Sequence, residues 1–283
     1  MVAMNRVLST HVIVNHRLNT SWLAKVAASG VEAIEIFCAP QHIDWRNKAQ
    51  IAELGHWFRD SELKLHALHS PMYTDEIWGR SGPQAHINIT ARDKATRLQW
   101  VGEIKRAIEI AEIVPCRYLI QHIGSSDQEY SEESVEFAFT ALEELSIFAR
   151  QRGVQILLEN IPNGLSSAQR LADFNAQTHL NLDYVFDTGH AHIGAGIEHE
   201  FEIMKKRIRS LHVHDNDGKA DQHLFPGAEG GTIDWTRTME LLRSCPGQYP
   251  LLLELREVTT IENPLAEITA VFDRLESLEA THA

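Results

Sequence analysis

Short runs rich in Val, Ile and Leu recur along this chain, and that alternation restricts its fold more than any other feature. The runs span 7–14 (VLSTHVIV), 30–37 (GVEAIEIF), 64–70 (KLHALHS), 117–123 (RYLIQHI), 154–160 (VQILLEN), 182–187 (LDYVFD), 208–215 (IRSLHVHD) and 250–256 (PLLLELR). Each has the length and the β-branched or leucine-rich character of a strand buried on both faces of a parallel sheet.

Amphipathic stretches lie between the runs. Asn19-Thr20-Ser21 can cap a helix running to Ser29, with Gly30 just past its end. Residues 90–113 place Ala95, Leu98, Val101, Ile104, Ile108 and Ile110 at roughly helical spacing. Ser131-Glu132-Glu133 opens a helix over 131–152, and shorter helices are expected near 45–60, 166–176, 199–206, 234–244 and 262–278. About eight strand-to-helix steps in 283 residues predict a single (β/α)8 TIM barrel, one α/β domain over 1–283. A doubly wound sheet is the competing arrangement, but no glycine-rich phosphate loop follows the first run. The long connection 71–90, with Trp78, Gly79, Gly82 and Pro83, is expected to cover a site.

The polar residues fall where that barrel would need them. His69 sits near the end of the third strand, His122 the fourth, Glu159 the fifth, Asp187 and His190 the sixth, His212 and His214 the seventh, and Glu254 lies in the eighth. Such strand ends converge at one mouth, where barrels of this kind build their active sites. Taken singly, each has an ordinary explanation: His122 as a hydrogen-bonded core residue, Glu254 as a partner of Arg256 or Arg209, Asp187 as a cap. Taken together they form a cage of carboxylates and imidazoles that is costly to bury unless paired or bound to metal. A donor set without thiolate suits Mn, Mg, Co or Zn. Glu159 and Glu254 can each give one oxygen to a cation and keep the other for proton transfer, as an enediolate-forming reaction requires. His212 and His214 are two apart, so both can face inward, one as ligand and the other as a neighbouring contact. Asp221, His223 and the PGAEGG stretch (226–231) read on spacing alone as a polar loop with a turn.

The formal net charge of −13 argues against nucleic acid and acidic membrane surfaces as partners. No apolar run approaches the roughly 20 residues of a membrane span, the N-terminus lacks signal-peptide character, and three scattered cysteines fit a reducing interior. A cytoplasmic protein is expected. Exposed barrel helices could support a homo-oligomer, and nothing in the chain selects an interface.

The motifs HSP (69–71), QHIG (121–124), LEN (158–160), FDTGHAH (186–192), HVHDND (212–217), DQHLFPG (221–227) and LEL (253–255), in this order, resemble the xylose-isomerase-like barrel superfamily. That superfamily holds sugar and sugar-phosphate isomerases and epimerases, and the endonuclease IV type of nuclease. Resemblance to its ketose 3-epimerase branch implies a divalent metal (Mn, Mg or Co) on Glu159, Asp187, His212 and Glu254. Glu159 and Glu254 would then be the acid/base pair of an isomerase or epimerase working on a small sugar or sugar phosphate through a cis-enediolate. His69, His122, His190 and His214 would contact substrate. The epimerases' arginine after the seventh strand has no counterpart, and the positions there offer Asp217, Gly218 and Lys219, with Lys219 as the cationic candidate. The endonuclease IV branch implies a second reading, a multinuclear zinc phosphoesterase that adds His69, His122, His190, Asp221 and His223 as ligands. A third is a sugar-binding barrel without turnover.

Overall fold

A computed structural model describes residues 4–76, 80–258, 261 and 263–278. Eight parallel strands run β1 (Arg6–Ser9), β2 (Ala33–Phe37), β3 (Lys64–His69), β4 (Tyr118–Gln121), β5 (Gln155–Glu159), β6 (Asp183–Asp187), β7 (Ile208–His212) and β8 (Leu251–Leu253). The helices between them are α1 (Thr20–Ala28), α2 (Lys48–Arg59), α3 (Lys94–Ile108), α4 (Glu132–Arg150), α5 (Ala168–Gln177), α6 (Thr188–Ile193), α7 (Ile197–Met204), α8 (Trp235–Leu242) and α9 (Pro264–Ser277). The strands pair in the order β7-β6-β5-β4-β3-β2-β1-β8, a nearly closed TIM barrel. The ring closes between β7 and β8 through the bridge Val213–Leu253. There the Val213 amide donates to Leu252 O (2.9 Å) and the Glu254 amide to Val213 O (3.2 Å).

Side-chain alternation positions the site. Ala67, Tyr118, Ile120, Leu157 and Val185 pack together inside the barrel. Two residues further along the same inward face stand His69, His122, Glu159 and Asp187. On β3 to β6 apolar residues thus lie below and ionisable ones emerge at the C-terminal mouth, while Glu35 and Ser210 are polar residues buried at the lower level. The outward residues, such as Leu119, Leu158 and Phe186, join the larger core beneath the helices. Helix starts carry the side-chain caps expected of them, with Asn19 accepting from the Trp22 amide (3.0 Å) and Ser131 from the Ser134 amide (3.1 Å).

Several sequence expectations shift. The first run does not continue as strand: after Ser9 it turns into a 3-10 segment, Thr10–Ile13. Ser9 Oγ accepts the His11 amide (3.4 Å), and Thr10 Oγ1 takes the Phe37 amide (3.0 Å) that a longer ladder would have used. The eighth strand is three residues long, so Glu254 lies just past its end. Between β6 and β7 there are two helices where one was expected. Asp187 caps α6 by accepting the His190 amide at 2.6 Å, and Gly194 and Gly196 separate α6 from α7. In the 71–90 connection, Tyr73 bridges to His86; Trp78 and Gly79 lie outside the described residues.

Candidate metal centre and active site

Glu159 stands at the middle of the mouth, almost fully buried. One of its oxygens lies 3.1 Å from His212 Nδ1 and 3.3 Å from His190 Nδ1. The other lies 2.9 Å from His122 Nε2 and 3.7 Å from His69 Nε2. His212 Nδ1 also lies 3.2 Å from Glu254 and 3.8 Å from Asp187. Three sets of donor atoms therefore fall within 4.8 Å of one another: Glu159, Asp187, His212 and Glu254; His69, His122 and Glu159; and His190, His214, Asp221 and His223. Glu159 belongs to two of the sets.

Whether these groups fit a metal is decided at His212, which is fully buried. Its Nε2 lies 3.2–3.3 Å from the Glu35 carboxylate, and an Nε2–H donating there leaves the Nδ1 lone pair facing three carboxylates. Nδ1 makes no properly directed hydrogen bond, and neither does Glu254 Oε1. Clustered carboxylates in so dry a place require a compensating positive charge. A divalent cation would supply it, and the oxygen and imidazole donors suit Mn, Mg, Co or Zn. Glu35 was not anticipated from the sequence. The signal for it was a lone carboxylate inside an apolar strand (AIEIF), and it stands on the Nε2 side of His212, where a carboxylate would orient a metal-bound imidazole.

The electrostatics separate the two glutamates. Burial raises both carboxyls, but at Glu159 the imidazoles of His212 and His122 prevail and hold it well below the usual range. At Glu254 burial prevails over His212 and His223, and the carboxyl stays above its ordinary value. Burial lowers His223, yet the neighbouring Asp221 carboxylate outweighs this and lifts it to about 9.

A cavity of about 440 Å³ opens above these groups, lined by His69, His122, Glu159, His190, Asp221, His223 and Glu254, with Phe37, Met72, Tyr73 and Ile161 as a less polar wall. Two expected substrate contacts are not among its lining residues. His214 is fully buried, its Nε2 3.1 Å from Asp187, and His223 stacks over it with ring centroids 4.0 Å apart. Lys219 is exposed in a turn held by its backbone amide on Asp217 (3.0 Å). Asp221 and His223, in contrast, are folded into the mouth.

That loop is held by Asp215, another residue the sequence reading passed over. Its carboxylate, 1% exposed, accepts the amides of Asn216 (2.9 Å), Gly227 (3.1 Å), Thr232 (3.1 Å) and Ile233 (3.2 Å) and the Trp235 indole N–H (2.7 Å). Gly231 of the glycine-rich stretch is explained by the same contact, since a Cβ there would run into the Asp215 carboxylate. Asn160 ties two strand ends together, donating to Asp187 O (3.0 Å) and accepting the Asp187 amide (2.8 Å).

Residues 23–278 match the profile of a family described as the xylose isomerase-like TIM barrel. An uncharacterized protein of Methanocaldococcus jannaschii, MJ1311, is 28% identical over 237 residues, 79% of this chain and 74% of that protein. A D-tagatose 3-epimerase-like protein of known structure superposes with a TM-score of 0.76 at 24% identity, over 96% of this chain and 97% of its own. The IolI protein, solved with a bound zinc atom, superposes with a TM-score of 0.73 at 18% identity, over 96% of each chain. At these identities the structural likeness establishes the fold.

Proposed function

The chain belongs to the xylose isomerase-like TIM barrel family, and on that premise we propose that it is a divalent-metal-dependent isomerase or epimerase of a small polyhydroxy carbonyl compound. The observation that carries this reading is the convergence of Glu159, Asp187 and Glu254 on the buried His212 Nδ1, beneath an open cavity that Glu159 and Glu254 line. Glu159, Asp187, His212 and Glu254 would hold the cation. When bound, it polarises the carbonyl and adjacent hydroxyl oxygens of a substrate. Glu159 and Glu254 both reach His212 Nδ1 and both line the cavity, so a substrate there would meet both carboxylates. One removes the proton from the carbon next to the carbonyl to form a cis-enediolate, and the other returns a proton. His69, His122 and His190 supply ring N–H or lone-pair contacts along the wall. The D-tagatose 3-epimerase-like protein among the structural neighbours and the zinc bound by IolI support the same reading.

The test is solvent deuterium incorporation at the carbon beside the carbonyl, across a panel of ketoses and their phosphates. Glu159→Gln and Glu254→Gln are each expected to lower exchange by about 10²–10⁴-fold. Wild-type exchange in both variants would sink the mechanism.

A second reading, a multinuclear zinc phosphoesterase, is favoured by one observation: the two further donor sets adjoin the first. Metal analysis separates the two. About three zinc per chain and incision of an abasic duplex support hydrolysis, and one exchangeable cation supports isomerisation. Against the nuclease, Arg256 is the one Lys or Arg among the described residues lining the cavity, and a polyphosphate backbone is gripped by many cations.

A further inference from the structure

That single guanidinium has a position that narrows the substrate. Arg256 follows Glu254 by two residues, just past the end of β8, and both side chains reach the same cavity. Both line the cavity, Glu254 at its floor and the exposed Arg256 further out. The backbone is pinned at this point: the Arg256 amide donates to His223 O (2.9 Å), and His223 Nδ1 lies 3.1 Å from Glu254 O. Gln222, beside His223, also lines the cavity. Its Oε1 accepts the Asp217 amide (2.9 Å), which leaves its NH2 as a donor.

Among the described residues no carboxylate pairs with Arg256. The adjacent Glu257 is already engaged by the Asn15 amide (2.9 Å) and by His16 (3.2 Å), and Asp221 is engaged by His190 and His223. A guanidinium with no carboxylate partner among the described residues, with an amide donor beside it, is a place for an oxyanion.

We propose that Arg256, with Gln222, binds a terminal anionic group of the substrate, so that the cavity takes a phosphorylated or carboxylated polyhydroxy carbonyl compound in preference to a neutral sugar. The proposal rests on the isomerase or epimerase reading for the other end of the substrate.

The test is calorimetric binding to the metal-loaded full chain of matched compounds: D-fructose 6-phosphate, D-fructuronate and D-fructose, and D-ribulose 5-phosphate with D-ribulose. The phosphate and carboxylate arms show which anion is taken. At least one anionic member is expected to bind ten times or more tighter than its neutral partner. Arg256→Ala should reduce that ratio to about two or less, and Arg256→Lys should keep part of it. Arg256→Gln serves if the alanine variant does not fold. Equal binding of charged and neutral members, no binding of any member, or a ratio that survives Arg256→Ala would each overturn the assignment. Deuterium exchange in the same samples reports separately on the chemistry. Anion-selective binding lost in Arg256→Ala, without exchange, would leave this assignment standing and remove the isomerase reading.

Discussion

Asp215→Asn offers a sharp test of how the loop bearing Asp221 and His223 is kept in place. The wild-type carboxylate accepts five N–H groups while buried, and no Lys, Arg or His among the described residues pairs with it. An asparagine can retain one oxygen toward Asn216, Thr232 and Ile233. Its NH2 then faces the Gly227 amide and the Trp235 indole N–H, donor against donor. Two bonds to a charged acceptor are lost, each about 1.5–3 kcal/mol, and part is offset because no charge remains to be desolvated. A net loss of about 3–4 kcal/mol is expected, a large fraction of the 5–15 kcal/mol typical of whole domains. Urea unfolding followed by circular dichroism should show a lower midpoint at unchanged slope, with Tm down by on the order of 10 °C. Stability within about 1 kcal/mol of wild type would refute the claim that this carboxylate holds the loop.

Glu35→Gln leaves the metal-facing residues in place but weakens the acceptor behind His212, and metal affinity should drop about 10–100-fold by competition with a chelator. Unchanged affinity would show that Glu35 does not orient the imidazole. His42 should make the fold acid-sensitive. Burial lowers its pKa from 6.5 to about 4, and the neutral ring is bound at both nitrogens, to His16 O (2.5 Å) and Thr10 Oγ1 (2.9 Å). The folded state thus resists protonation that the unfolded chain accepts, so this stability is complete above pH 6.5 and is lost as pH falls toward 4. At about 1.4 kcal/mol per pH unit the loss is about 3 kcal/mol. His42→Gln should flatten the stability profile across that window, and an unchanged slope would exclude His42 as the source.

The barrel was legible because its strands carry two patterns at once. In 117–123 and 154–160 the inward positions change from apolar to ionisable on reaching the mouth, at Ile120 to His122 and Leu157 to Glu159. A strand buried for packing alone has no reason to do so. Glu35 escaped notice because its meaning depends on His212, 177 residues away and across the barrel. Asp215 was hidden for a related reason: its partners are mostly backbone amides, which leave no trace in side-chain spacing. The short helix α6 was missed because one residue, Asp187, both faces the cage and caps the helix. The inward-facing period set His214 beside His212, but spacing could not show that His223 folds over it and that His214 does not line the cavity.

The two glutamates do not stand on equal footing. Glu159 ends a strand flanked by full ladders on either side. Glu254 hangs beyond a three-residue strand, at the seam where β7 and β8 meet through only a pair of backbone bonds. Fluctuations that part the staves will gather along that line, where least must be broken. If the two carboxylates work as proposed, the pair has one fixed jaw and one that yields, and a bound substrate would be met by Glu254 adjusting to Glu159.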